Sequence, residues 1–263
     1  MVESLKELNK ICQKPRYKEA GNWMVRHILR DAALPVTWLL LHTPVTANQV
    51  TLASLGVGLF GIFLIAFPGH GNFLAGALLL QFWYFLDHVD GQIARYRGTS
   101  GLTGRFFDFL THHLIHGVIF FSLGFYSYHI SGNLAFVVWG FLASVAMMTF
   151  NLVHDTKYKA FMERMKSAKT IQVLEQPASA SAASQEAGFL HKGFSLLHKL
   201  AEIHVLMNLL TVAALLQYKA LLDLRALLFI FYGIGVPVLA LVKITFLIMR
   251  REIDHEFDRD FRI

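Results

Sequence analysis

The chain has 263 residues, of which 55% are hydrophobic and 16% charged, with one cysteine and a formal net charge of +6. A single cysteine excludes an intramolecular disulfide, and the apolar excess excludes an ordinary soluble domain. The Lys and Arg residues sit beside apolar segments rather than in a basic domain of their own, so the positive charge suits a membrane surface and not nucleic acid.

Residues 1–32 mix charged side chains with Leu5, Leu8, Ile11 and Cys12 near helical spacing, followed by Trp23, Met24, His27 and Ile28. An amphipathic helix on the membrane surface fits that pattern. No short apolar core with a cleavage site marks a signal peptide. From Ala32 to Leu86 there is no Lys, Arg, Asp or Glu, and Pro68-Gly-His-Gly-Asn72 breaks that length in two. A first membrane span near Val50–Phe67 and a second near Phe73–Ala94 follow. Thr46 or Asn48 is placed to cap the first.

Phe109 to His154 again lacks those four residue types, and Ser131-Gly-Asn133 divides it into a third span near Gly104–Ile130 and a fourth near Asn133–Val153. His154, Asp155, Lys157 and Lys159 mark the return to water. Residues 160–199 are polar, with Pro177–Gln185 as a low-complexity centre, and read as a flexible loop. Spans near His204–Tyr218 and Ala226–Ile248 complete six, joined through Leu221–Arg225. Lys243, near the end of the last span, is placed to snorkel to the interface.

With six spans both termini share a side with the connection after span two and the loop after span four. Those segments hold seven Lys or Arg at the start, three at Arg95, Arg97 and Arg105, seven from Lys157 to Lys199 and four from Arg250 to Arg262, against Lys219 and Arg225 opposite. The positive-inside bias therefore puts both termini and the span-two connection in the cytoplasm. The expected protein is all-α and polytopic: an amphipathic cytoplasmic segment at 1–32, a six-helix membrane catalytic domain at 33–249 with its cytoplasmic loop at about 160–199, and a charged cytoplasmic tail at 250–263.

The chemistry concentrates between Asp87 and His112. An ionisable side chain inside a membrane helix costs about 2.5 kcal/mol or more at the bilayer centre, so such residues read as a functional site. Helical spacing puts Asp87, Asp90 and Gly91 on one face and Gly104, Asp108 and His112 on one face of the next span. In a hairpin the three carboxylates converge. They repel unless a cation sits between them, and hard divalent ions such as Mg2+ take that donor type. Two ions about 3.5–4 Å apart would clamp phosphoryl oxygens. Small residues at Gly91, Ala94 and Gly104 leave room for a ligand.

The run Asp87-x2-Asp90-Gly91-x2-Ala94-Arg95-x8-Gly104-x3-Asp108-x3-His112 resembles the signature of the CDP-alcohol phosphotransferases, matching seven of its eight positions. The departure is His112, where the family has a fourth aspartate. The resemblance implies a membrane transferase of substituted phosphate groups in phospholipid biosynthesis. Such an enzyme moves a phosphoalcohol unit from a CDP-alcohol to an acceptor hydroxyl and releases CMP. It further implies two divalent ions, Mg2+ or Mn2+, held by Asp87, Asp90 and Asp108 with His112, a homodimer among membrane lipids, and a cytoplasmic site in a bacterial inner membrane or its equivalent. Catalytic roles fall to Asp108 and His112, and nucleotide contacts to Gly91, Ala94, Arg95, Gly104 and Asn48.

Three readings of His112 stay open: a neutral imidazole base, a ligand favouring Mn2+ or Zn2+, or a decayed position in a silent paralogue that serves as a membrane scaffold. Arg95 suits either a substrate phosphate or interfacial anchoring. His113 and His116 fit packing better than ligation, and the lack of a glutamate after the first histidine argues against a zinc protease. Broken helices or internal repeats, the marks of a transporter, are absent from the sequence.

Overall fold

A computed structural model describes residues 2–13, 23–168, 170–174, 199 and 202–262. Helix α1, Leu5–Cys12, opens on a capping box in which the Ser4 hydroxyl accepts from the Glu7 amide and the Glu7 carboxylate accepts from the Ser4 amide. A π-helical turn, Val25–Leu29, leads into α2, Arg30–Leu41. Helix α3 is Ala47–Ala66, α4 His70–Tyr96, α5 Leu102–Ser131 and α6 Ala135–Lys166. After strand β1, Gln172–Val173, come α7, Ile203–Tyr218, then α8, Arg225–Ile230, running through a π-helical turn at Phe231–Gly235 into α9, Val236–Met249. Helix α10, Glu252–Asp260, and strand β2, Phe261–Arg262, end the chain's described part.

The protein is all-α and integral to the membrane. Helices α3, α5, α6 and the continuous Arg225–Met249 segment are long and apolar enough to cross a bilayer, and α7 is a shorter apolar helix. Helix α4, at 27 residues, is about 40 Å long but is less apolar because it carries Gln81, Asp87, His88 and Asp90. All six expected spans therefore have a helix at their positions. Thr46, not Asn48, caps α3: its hydroxyl accepts from the Gln49 amide at 3.3 Å while the Gln49 side chain accepts from the Thr46 amide at 2.8 Å.

Neighbouring helices meet through glycines. A Cβ on Gly61 would lie 2.9 Å from the Gly76 carbonyl, and one on Gly124 would lie 2.7 Å from the Phe136 carbonyl, beside Gly140. Backbones thus approach closely between α3 and α4 and between α5 and α6, as lipid-embedded helices require when water supplies no driving force. Phe73, Leu80, Trp83, Ile119, Leu210 and Tyr232 fill the core between them.

Three features differ from the expected layout. The run Ala32–Leu41, absent from the expected spans, folds as most of α2 despite Pro35. Helix α6 runs past Val153 to Lys166, since nothing from 154 to 166 is Gly or Pro and the segment is rich in helix formers. The described part of the tail, 250–262, docks: Phe257 stacks edge-on against Phe161 at 5.2 Å, Arg164 pairs with Asp258 at 2.9 Å, Lys157 pairs with Glu256 at 2.8 Å, and β2 runs antiparallel to β1. Pro177–Gln185, the centre of the expected loop, lies outside the described residues.

Helix α1 turns its apolar face onto protein. Leu8 and Cys12 are fully buried with Ala33, Leu34, Val89 and Ile93 from α2 and α4. Polar ties fix it there: Trp38 Nε1 donates to the Glu3 carbonyl at 3.1 Å, the Tyr96 hydroxyl donates to the Glu3 carboxylate, and Arg95 Nε donates to the Cys12 carbonyl.

Candidate active site

Helices α4 and α5 are joined by a short turn in which Gly98 adopts φ +63°, a left-handed conformation suited to glycine. Both helices pack on α3, and side chains from the C-terminal half of α4 reach those of the first turns of α5 across it. Asp87, Asp108 and His112 meet there, each offering a ligand atom within 4.8 Å of the others. His112 Nε2 lies 3.0 Å from Asp87 Oδ1 and 3.3 Å from Asp108 Oδ1. The His112 ring is backed by Trp83, centroid to centroid 5.0 Å.

This donor set fits a divalent ion. Neighbouring ligands on an octahedral ion at about 2.0–2.1 Å sit about 3 Å apart, close to the spacing of His112 Nε2 from each carboxylate. Asp108 Oδ1 is buried with His112 Nε2 3.3 Å away but makes no well-aligned hydrogen bond among the described residues, so a cation would be a favourable added partner. A carboxylate pair with one imidazole suits Mn2+ or Zn2+ more than Mg2+.

Asp90 stands apart from that group. Its Oδ2 accepts a 2.6 Å hydrogen bond from the Thr51 hydroxyl on α3, with both side chains buried. All three aspartates nevertheless line one cavity of about 670 Å³. Of the other residues expected at the site, Asn48, Gly91, Ala94, Arg95 and Gly104 line it too. His112 does not. A Cβ on Gly91 would meet Arg95 Nη1 at 3.2 Å, so the glycine lets the guanidinium fold over the helix while its Nε holds Cys12. Arg95 therefore anchors α1 and faces the cavity at once.

The cavity wall also includes Arg30 and Arg105, and the first turn of α5, whose N-terminus has no side-chain cap. Uncapped helix N-termini and arginines favour anions. Acidic and basic groups thus share one chamber. His113 pairs with Asp155 at 2.7 Å and His116 meets Asn151 at 2.6 Å, so both serve the α5–α6 contact rather than the acidic cluster. Lys243 lies over the Phe150 ring at 4.9 Å.

Three residues escaped the sequence reading. Thr51 shares a helix face with Asn48, a signal that was there to use. Arg97 clamps the turn before α3 by donating to the Val45 carbonyl at 2.5 Å and the Thr43 carbonyl at 2.8 Å, and Gln92 ties α4 to α2; neither carries a motif.

The sequence profile of the CDP-alcohol phosphatidyltransferases matches residues 44–215, well over half of the chain. The chain belongs to the CDP-alcohol phosphatidyltransferase family. That family comprises polytopic membrane transferases that use divalent metals to pass phosphoalcohol units from CDP-alcohol donors to hydroxyl acceptors in phospholipid synthesis. No curated protein matches the chain. The family's region runs from just before α3 into α7 and includes Asp87, Asp90, Asp108 and His112, whereas α1 and α2, which add Gln13 and Arg30 to the cavity wall, precede it.

Proposed function

We propose that this chain is a working transferase that moves a phosphatidyl or phospho-head-group unit from a CDP-alcohol to an acceptor hydroxyl and releases CMP. The observation that carries the reading is the convergence of Asp87, Asp108 and His112 on ligand spacing at a cavity that Asp90 and three arginines also line. At about 670 Å³ the cavity is in the range of small-molecule sites, and a nucleoside diphosphate is of that size. Asp87, Asp108 and His112 would hold a divalent ion, with Asp90 available to a second. Such ions withdraw charge from the diphosphate and stabilise the leaving phosphate.

The chain's own groups do the rest. The first turn of α5, Arg95 and Arg105 orient the diphosphate; the acceptor hydroxyl attacks the phosphorus distal to cytidine; the bond to CMP breaks. Asp108 lines the cavity where an acceptor would enter, whereas His112 turns Nε2 to the two carboxylates. We therefore assign His112 to ligation rather than to proton transfer. We place the cavity and both termini on the cytoplasmic side, from the distribution of Lys and Arg, and expect a homodimer from the family resemblance. We likewise keep 33–249 as the catalytic membrane domain, flanked by 1–32 and 250–263.

A second reading, a silent paralogue acting as a scaffold, draws on the same contact: His112 and Asp87 at 3.0 Å also make a plain ion pair that closes the site without metal. CMP release by purified protein in lipid separates the two. CDP-diacylglycerol, CDP-choline and CDP-ethanolamine are offered separately with Mg2+ or Mn2+, a lipid extract and polyols. Release from one donor that disappears in Asp108→Asn supports transfer and names the donor class. Silence with every donor, alongside CMP binding, supports the scaffold.

A further inference from the structure

Arg30 stands outside the family's region, yet it lines the cavity with Asp87, Asp90 and Arg95. Its backbone is pinned from the signature helix. The Arg30 carbonyl accepts from Gln92 Nε2 at 2.8 Å and from Gln13 Nε2 at 3.5 Å, and Gln92 Oε1 in turn accepts from the Thr37 hydroxyl at 2.7 Å. Gln92 and Thr37 are 1% and 0% exposed, so this bridge fixes the start of α2 against the helix that carries Asp90 and Gly91. Its position on the wall is thereby set by a buried network and not by a surface loop.

Charge gives that position a purpose. Arg30 lies within electrostatic reach of Arg95, so two guanidinium groups are gathered on the cavity wall. Three arginines and three aspartates line the cavity in balance, and every divalent ion the aspartates take up leaves a positive surplus. A diphosphate removes the surplus, and guanidinium is the side chain best matched to phosphate oxygens.

We propose that Arg30 binds a phosphate group of the diphosphate donor, so that the helices preceding the family's region complete the donor site. This assignment rests on the transfer reading for the identity of the ligand, and binding without turnover tests it separately. CDP and CMP affinities are measured in the presence of Mn2+ for the wild-type protein, Arg30→Gln and Arg30→Lys, alongside the thermal midpoint of each in detergent. Arg30→Gln is expected to bind CDP about tenfold or more weakly at an unchanged midpoint, with Arg30→Lys recovering part of the loss. A matching fall in CMP affinity assigns the contact to the phosphate next to cytidine; retained CMP affinity assigns it to the distal one. CDP affinity within twofold of wild type in Arg30→Gln overturns the assignment, as does wild-type protein that binds no CDP. Wild-type protein that binds CDP but releases CMP from no donor sinks the transfer reading alone.

Discussion

Replacing Thr51 by valine removes one hydroxyl and keeps the shape, so its effect isolates the 2.6 Å bond to Asp90 Oδ2. Thr51 is 6% exposed and Asp90 8%, leaving little water to replace the lost donor. The same hydroxyl lies 3.1 Å from the Ala47 carbonyl, and with one proton to give, the shorter contact to a charged oxygen claims it. A hydrogen bond to a charged group contributes about 1.5–3 kcal/mol, or about tenfold to a hundredfold in the population of the correctly held carboxylate. Loss of an outer partner of a metal ligand has about the same size, 10–100-fold in metal affinity or activity. We therefore expect Thr51→Val to raise the Mn2+ concentration for half-maximal CMP release by about 10–100-fold, and Thr51→Ser to restore it. The assay is a metal titration of CMP release in lipid vesicles. A Thr51→Val titration within twofold of wild type would refute the claim that Thr51 positions Asp90 for the metal.

Three further outcomes follow from named contacts. His112→Ala is expected to shift the metal requirement by about tenfold or more and to regain part of its rate at saturating Mn2+; a rate loss that metal does not relieve, with an unchanged requirement, would return His112 to the role of base. Gly124→Leu drives a side chain into the Phe136 carbonyl and is expected to cost about 1–3 kcal/mol, read as a lower thermal midpoint in detergent, while an unchanged midpoint would mean that the α5–α6 contact yields. Burial pushes the Cys12 thiol up to about 11 from its ordinary 9.0, so at pH 8 it should resist maleimide until the protein is denatured. Because the folded state holds that proton more tightly, the associated stability is present below about pH 9 and fades as the pH rises towards 11; rapid labelling of folded protein would show that α1 is not docked.

The membrane helices were readable because lipid imposes a simple rule: uncharged runs of about 20 residues broken by Gly, Pro and Asn. The rule stops working where helices leave the bilayer. The α6 extension and α10 hold together through Phe161, Phe257 and Phe261 on helices otherwise dense in charge, and an apolar residue every four positions in such a short helix says only that a face is buried, not against what. The glycine contacts were hidden for a related reason. Gly61 and Gly76, or Gly124 and Gly140, are ordinary residues in their own helices and acquire meaning only when the partner is known.

At the site, spacing within each helix placed Asp87 with Asp90 and Asp108 with His112, and the short turn after Arg97 left Asp87 able to meet Asp108 and His112. What spacing does not supply is rotation about the helix axis. Asp87 and Asp90 are three residues apart, about 300° around the helix, and that difference is enough to give Asp87 to His112 and Asp90 to Thr51. The consequence bears on position 112, where the resemblance leads us to expect an aspartate. The His112 imidazole reaches both Asp87 and Asp108 through a single nitrogen, so a potential ligand atom sits at the acidic cluster while the residue stays off the cavity wall. On the proposed function, a histidine there would preserve the part of the site that holds charge and leave proton transfer to a residue that lines the chamber, and that division of labour is what the His112→Ala metal titration measures.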